Sequence, residues 1–193
     1  MKPVLRSEIL GLGEYEAIRE RFLARIILEK RSRRVRVCED VGAVFENRDT
    51  VLFQIQEILR TERITKEASI QHELDTYTEL VPGDDELSAT MFVEIPDAER
   101  RERMLVELAG LEARIALEVA GKLVRARNES RSALPDRTTA VHYLKFRLGK
   151  ELAAALREAP RGAEVFWVLD HPKLSVRTKL GPDVVASLAG DLA

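Results

Sequence analysis

Between Phe45 and Arg60 the chain reads Phe-Glu-Asn-Arg-Asp-Thr-Val-Leu-Phe-Gln-Ile-Gln-Glu-Ile-Leu-Arg, and no other stretch crowds so many groups able to do chemistry. The pattern predicts a strand end running into a helix. Val51, Leu52, Ile55, Ile58 and Leu59 recur at the helical repeat and form the face that a core requires. On the other side Phe53 stands among Asp49, Gln56, Glu57 and Arg60, with Glu46 and Arg48 just upstream. Carboxylates, an amide and guanidinium groups around an aromatic ring suit a second contact surface. They equally suit an exposed phenylalanine with solvated neighbours. Glu57 here and Glu73 further on would, if brought together by helix packing, bind a hard cation or share a proton. Arg48 or Arg60 would otherwise neutralise them, and a structural salt bridge is the simpler expectation.

The remaining chemistry-bearing residues are scattered. Among the three histidines, His72 lies three residues before Asp75, a helical spacing that can share a metal. Glu57, Glu73 and His72 are therefore the candidate metal ligands. The zinc-protease pair is missing, since Thr76 stands where its second histidine would be, and so is the Glu-x-x-His of ferritin-like sites. Asp170-His171-Pro172 predicts a hairpin turn, and His171 joins the candidate functional surface. No Gly-x-Ser-x-Gly elbow supplies a nucleophile for it. Cys38 is the only cysteine, which rules out an intramolecular disulfide or a four-cysteine cluster from this chain. Its neighbours Glu39 and Asp40 oppose a thiolate nucleophile. Gly11 and Gly13 follow a helical turn rather than a strand and lack a third glycine, so they make no dinucleotide fingerprint.

The elements that must position these groups follow from periodicity and punctuation. Ser7 caps a short turn at 8–10, and a helix from Glu14 carries Tyr15, Ile18, Phe22 and Ile26, with Leu23 and Ile27 widening its apolar face. Lys30, Arg31, Arg33, Arg34 and Arg36 read as a helix C-terminus running into a strand with an arginine side, which would also serve RNA or an acidic partner. Val35 to Cys38 and Ala43 to Phe45 predict a hairpin turning at 39–42, and Asn47 or Asp49 starts the central helix. A second helix begins at Thr65 and stops before Pro82-Gly83. Beyond it come a strand over 89–95, a helix capped by Asp97, strands 115–119 and 123–127 around Gly121-Lys122, and a polar loop over 128–137. A strand at 139–148, a helix at 150–159 before Pro160-Arg161-Gly162, a hairpin over 164–180 and a helix from Pro182 complete the chain.

Strands following strands directly predict an α+β fold, mainly an antiparallel sheet with an N-terminal helical layer and one or two covering helices. The 193 residues suit a single domain, with a soft boundary near 83–86 between a helix-rich and a β-rich half. With 45% hydrophobic and 33% charged residues, the chain can bury a core and is no disordered segment. Its net charge of −2 argues against a general nucleic-acid binder. The start, Met1-Lys2-Pro3-Val4-Leu5-Arg6, has no secretory pattern and no apolar run predicts membrane insertion, so a cytoplasmic location is expected.

Several of these segments, Phe45 to Val51, Phe53 to Glu57, Arg63-Ile64, Glu73-Leu74, Glu86 to Thr90, Ala140-Val141-His142-Tyr143 and Asp170-His171-Pro172, resemble in order a bacterial family known as domain of unknown function 3501. The resemblance spans most of the chain and implies no established activity or cofactor. It does imply a redox or peroxide-stress setting, through genes for rubrerythrin-like and iron–sulfur oxidoreductase proteins near those of the family. His142 stands where the family usually has glutamine, so a shared catalytic role does not carry over to it. Two functions are therefore weighed. One is an accessory or interaction protein of a cytoplasmic redox system, docking a protein partner or a second copy through residues 46–60 and the arginine-bearing strand at 33–36. The other is a small metal-binding protein or enzyme built on a carboxylate and arginine cluster.

Overall fold

The computed structural model describes residues 1–128, 136–158 and 162–192. A 3-10 turn at Arg6–Glu8 leads into α1 (Leu12–Arg31), the hairpin β1 (Arg34–Cys38) and β2 (Val41–Glu46), helices α2 (Arg48–Thr61) and α3 (Glu67–Thr78), and β3 (Glu86–Val93). Then come α4 (Ala98–Glu107), a 3-10 turn at Leu111–Arg114, β4 (Ile115–Val119), β5 (Lys122–Arg125) and β6 (Arg127–Asn128). The chain closes with β7 (Val141–Arg147), α5 (Gly149–Glu158), β8 (Val165–His171), β9 (Leu174–Lys179) and α6 (Pro182–Asp191).

The α+β class and its antiparallel pairing agree with the sequence. The expected sheet is two, ordered β1-β2-β3-β7-β6 and β5-β4-β8-β9. Period-two alternation gives every strand an inner and an outer side. Ala43 and Phe45 of β2, Ala89 and Met91 of β3, and Leu144 and Phe146 of β7 point into the space between the sheets. There they meet Leu117 and Trp167 of the second sheet. Trp167 is the hub, with Phe45 and Phe146 edge-on to it at 5.7 and 5.6 Å. The sheets also meet at their edges. Only Ala126 separates β5 from β6, and Thr178 Oγ1 of β9 donates to Val37 O of β1 at 2.7 Å. Leu152 and Leu156 of α5 and Val185 and Leu188 of α6 extend this core.

The other side of the first sheet carries the helical layer. Val51, Ile55 and Leu59 of α2, Leu74 of α3, and Val4 and Ile9 before α1 form a second core, with Tyr143 of β7 packed against it. Sheet one draws strands from both sides of residues 83–86, so hydrogen-bonded pairing crosses the position of the soft boundary.

Several local expectations are corrected. Gly42 lies inside β2, not in the hairpin turn, and an added Cβ would meet Glu94 Oε2 at 2.9 Å. Lys66 rather than Thr65 precedes α3, the second-sheet hairpin turns at Ala120-Gly121, and His171 ends a strand instead of lying in the turn. Both turn residues, Ala120 at φ 49° and Gly121 at φ 76°, are left-handed, the geometry that two-residue hairpins favour. The short turn before α1 spans Arg6–Glu8 with no side-chain cap from Ser7. Most of the polar loop expected at 128–137, and the Pro160-Arg161 break, lie outside the described residues.

Candidate functional site

Asn47 sets the site's geometry. Its side chain accepts from Thr50 N at 2.9 Å while its own amide donates to Thr50 Oγ1 at 2.9 Å, so both groups stop the strand and start α2. Glu46, the last residue of β2, thereby lies under the first turn of the helix. It is only 3% exposed. Thr50 Oγ1 donates to its Oε2 at 2.5 Å and Thr90 Oγ1 of β3 to its Oε1 at 2.7 Å. The helix N-terminus adds partial positive charge beside the carboxylate. No cation comes within ion-pair distance of it among the described residues. A carboxylate can accept about four hydrogen bonds, and the two hydroxyls leave acceptor capacity unused.

A groove of 410 Å³ opens beside Glu46, between α2 and the outer side of the first sheet. Phe53 of α2, Phe92 of β3 and Tyr143 of β7 supply its aromatic walls, and Thr90 lies beside Glu46. Lys30 and Arg34 bring cations to it, and Glu57 and Glu62 carboxylates.

Much of the surface around Phe53 is covered by α1. Phe22 of α1 stacks edge-on against Phe53 at 5.4 Å. Arg25 pairs with Asp49 at 3.1 Å. Gln56 is 1% exposed and its Oε1 accepts from Leu10 N at 2.6 Å. Arg48 holds Glu8 and reaches the carbonyls of Lys2 and Pro3. Glu57 accepts from Tyr15 Oη at 2.8 Å and from both Nε and Nη2 of Arg19 at 2.8 Å, with Arg60 Nε at 3.4 Å. The Arg19 hydrogen bonds, seconded by Tyr15, overcome partial burial and hold the Glu57 carboxyl down at about 2. Burial, with the hydrogen bond to the Glu57 carboxylate, pushes the Tyr15 phenol up. Exposed apolar side chains occur instead on α1 itself, where Ile18, Ile27 and Leu28 face outward although Tyr15 and Ile26 are buried.

Glu73 and His72 do not join Glu57. His72 is exposed, while Glu73 is half-buried near Tyr77, whose phenol is pushed up to about 12 chiefly by burial and by Tyr143. Among the described residues no three histidine, cysteine, aspartate or glutamate side chains gather as a metal would need. His171 lies far from this cluster in the fold, in the second sheet. Its Nδ1 accepts from Lys173 N at 3.2 Å, so Nε2 carries the proton and donates to Ala109 O at 3.1 Å. Both nitrogens thus serve the hairpin and its neighbour. Two members of the basic block are committed as well: Arg33 is buried against Asp191 at 2.5 and 2.8 Å, and Arg36 pairs with Glu94 at 2.9 Å.

Thr90, Phe92, Tyr143 and Lys30 were not expected at the site, whereas Arg34 belongs to the strand expected to take part in docking. Alternation along 86–93 separates Ser88, Thr90 and Phe92 from Ala89 and Met91, but only strand pairing brings Thr90 opposite Val44 and beside Glu46.

These features define an α+β protein of two facing antiparallel sheets, with a helical layer that leaves a carboxylate-bearing groove over one of them. The chain belongs to the family described as protein of unknown function (DUF3501), whose model matches residues 3–192. It is similar to a novel protein of unknown function from Burkholderia pseudomallei K96243 in its crystal structure, at 35% identity and a TM-score of 0.91 over 100% of both chains. No curated protein matches it. Among the described residues no helix is long and apolar enough to cross a membrane.

Proposed function

We propose that this protein binds a small organic molecule in the groove between α2 and the first sheet, holding a cationic or N–H-bearing group on Glu46. The observation that carries this reading is a carboxylate 3% exposed, held by two threonine hydroxyls, with no cation paired to it among the described residues. Burying a charge is costly unless it is paired, and a bound cation would supply the missing partner. The volume of 410 Å³ falls in the range of about 300–1,000 Å³ common for small-ligand sites. Phe53, Phe92 and Tyr143 give an apolar body aromatic faces to pack on. In this reading the protein is an accessory binding protein of one domain, and the cytoplasmic redox or peroxide-stress setting implied by the resemblance is where it would serve.

Phenethylamine joins an ammonium to one aromatic ring and is the direct probe. Amide chemical shifts should move on titration at Glu46, Thr90, Phe53 and Tyr143, and Glu46→Gln should weaken binding at least about tenfold, or about 1.4 kcal/mol. Shifts confined to other parts of the molecule, or equal affinity in the folded variant, would remove the groove from consideration.

A further inference from the structure

On the outer side of the first sheet, strand register fixes which side chains stand beside Glu46. Register places Arg34 opposite Val44, Val44 opposite Thr90 and Thr90 opposite Tyr143, four residues in one row across β1, β2, β3 and β7. Glu46 stands two residues beyond Val44 on the same side of β2, one row on. Arg34 and Glu46 are therefore diagonal neighbours, with backbones about 7–8 Å apart. Lys30, in the last turn of α1, lines the same groove from above.

These two cations are weakly committed. The Lys30 side chain makes no hydrogen bond or ion pair among the described residues. Arg34 is 63% exposed and reaches Glu94 only at 3.9 Å, whereas Arg36 takes the same carboxylate at 2.9 Å. Glu57 is already neutralised by Arg19 and Arg60. The groove thus offers one buried acceptor, Glu46, and two available donors, Lys30 and Arg34, with aromatic rings in the same lining.

Resting on the groove-binding reading, we infer that the ligand is a small zwitterion, a free α-amino acid with an apolar side chain. Its ammonium donates to Glu46 and to the remaining lone pairs of Thr90 Oγ1. Its carboxylate, separated from the ammonium by one carbon, meets Lys30 and Arg34. Its side chain packs on Phe53, Phe92 and Tyr143. A simple amine leaves the two cations unused, and a simple acid leaves Glu46 uncompensated.

The test is calorimetric titration of the full chain with L-phenylalanine, phenethylamine, 3-phenylpropionate and N-acetylphenylalanine, paired with Arg34→Gln and Lys30→Gln. L-Phenylalanine is expected to bind at least tenfold tighter than each of the other three. The double variant should bring it to the level of phenethylamine without weakening phenethylamine, since removing two cations beside an ammonium site relieves repulsion. Arg34 is largely exposed and Lys30 lies on a helix surface, and thermal melts establish that the variants are folded. Equal binding of phenethylamine and L-phenylalanine, or indifference of L-phenylalanine to both cations, overturns the zwitterion and leaves the groove as a cation site. Absence of binding by all four probes overturns both readings.

Discussion

Glu57 is the residue whose surroundings are most constrained. One carboxylate receives a phenol and two nitrogens of one guanidinium, all at 2.8 Å, and its side chain keeps only 22% exposure. Its carboxyl is depressed from the ordinary 4.5 to about 2, which favours the folded state wherever the group is ionised. The contribution is fully present above the unfolded value and disappears as pH falls through the folded one. A depression of this size corresponds to about 3 kcal/mol at neutral pH. Glu57→Gln should therefore lose roughly 2–3 kcal/mol in urea unfolding at pH 7. The gap to the parent protein should shrink steadily below pH 4.5 and close near pH 2. A gap independent of pH would show that packing, rather than charge, stabilises this position. Glu57 stood out in the sequence for the density of polar groups around it. Its partners Tyr15 and Arg19 did not, because they come from a helix more than thirty residues away whose packing direction no local pattern reveals.

At the scale of elements, α2 is legible and α1 is not. Val51, Ile55 and Leu59 are buried as the helical repeat requires, and Asn47 caps the helix. In α1 the same repeat selects Tyr15, Ile18, Phe22 and Ile26, yet Ile18 is 41% exposed. The reason is that α1 lies mainly along α2, and one helix covers only a narrow stripe of another. Asn47 joins the two elements, since its Nδ2 donates to Glu29 Oε1 of α1 at 2.8 Å while its Oδ1 caps α2. Asn47→Ala should cost about 1–2 kcal/mol of stability, the usual range for a lost cap. It should also speed hydrogen exchange in the last turns of α1 and the first turn of α2, leaving the second sheet unchanged. Uniform acceleration through the whole chain would contradict this local coupling.

For the whole molecule, the contact that ties the ends of the chain together is Arg33 with Asp191, 158 positions apart and almost fully buried. Burial opposes the Arg33 charge, and two-point hydrogen bonding to Asp191, with Glu29 as a third partner, more than offsets it. Removing one side of such a pair strands a charge. Asp191→Asn should destabilise the protein by about 3 kcal/mol in urea unfolding, and Arg33→Met with Asp191→Leu should recover at least half of that. A single variant as stable as the parent would mean that Glu29 alone satisfies the arginine. Arg33 read in the sequence as one member of an exposed basic block, and nothing near it signals that its partner lies on the last helix.

The sequence by itself determined the α+β class and the order of nearly all helices and strands, and it narrowed the start of α2 to Asn47 or Asp49. Each of these rests on interactions within a few residues of one another. Two outcomes depended on the tertiary structure. The antiparallel strands separate into two facing sheets around Trp167, because inward sides that alternate alike in sequence must be divided between two walls of one core. The polar side of α2 is covered by α1 and bordered by a groove, because Glu46, Thr90, Arg34 and Tyr143 become neighbours only when β1, β2, β3 and β7 pair in register. Local periodicity says which side of a strand a residue takes. Only non-local pairing says what stands beside it.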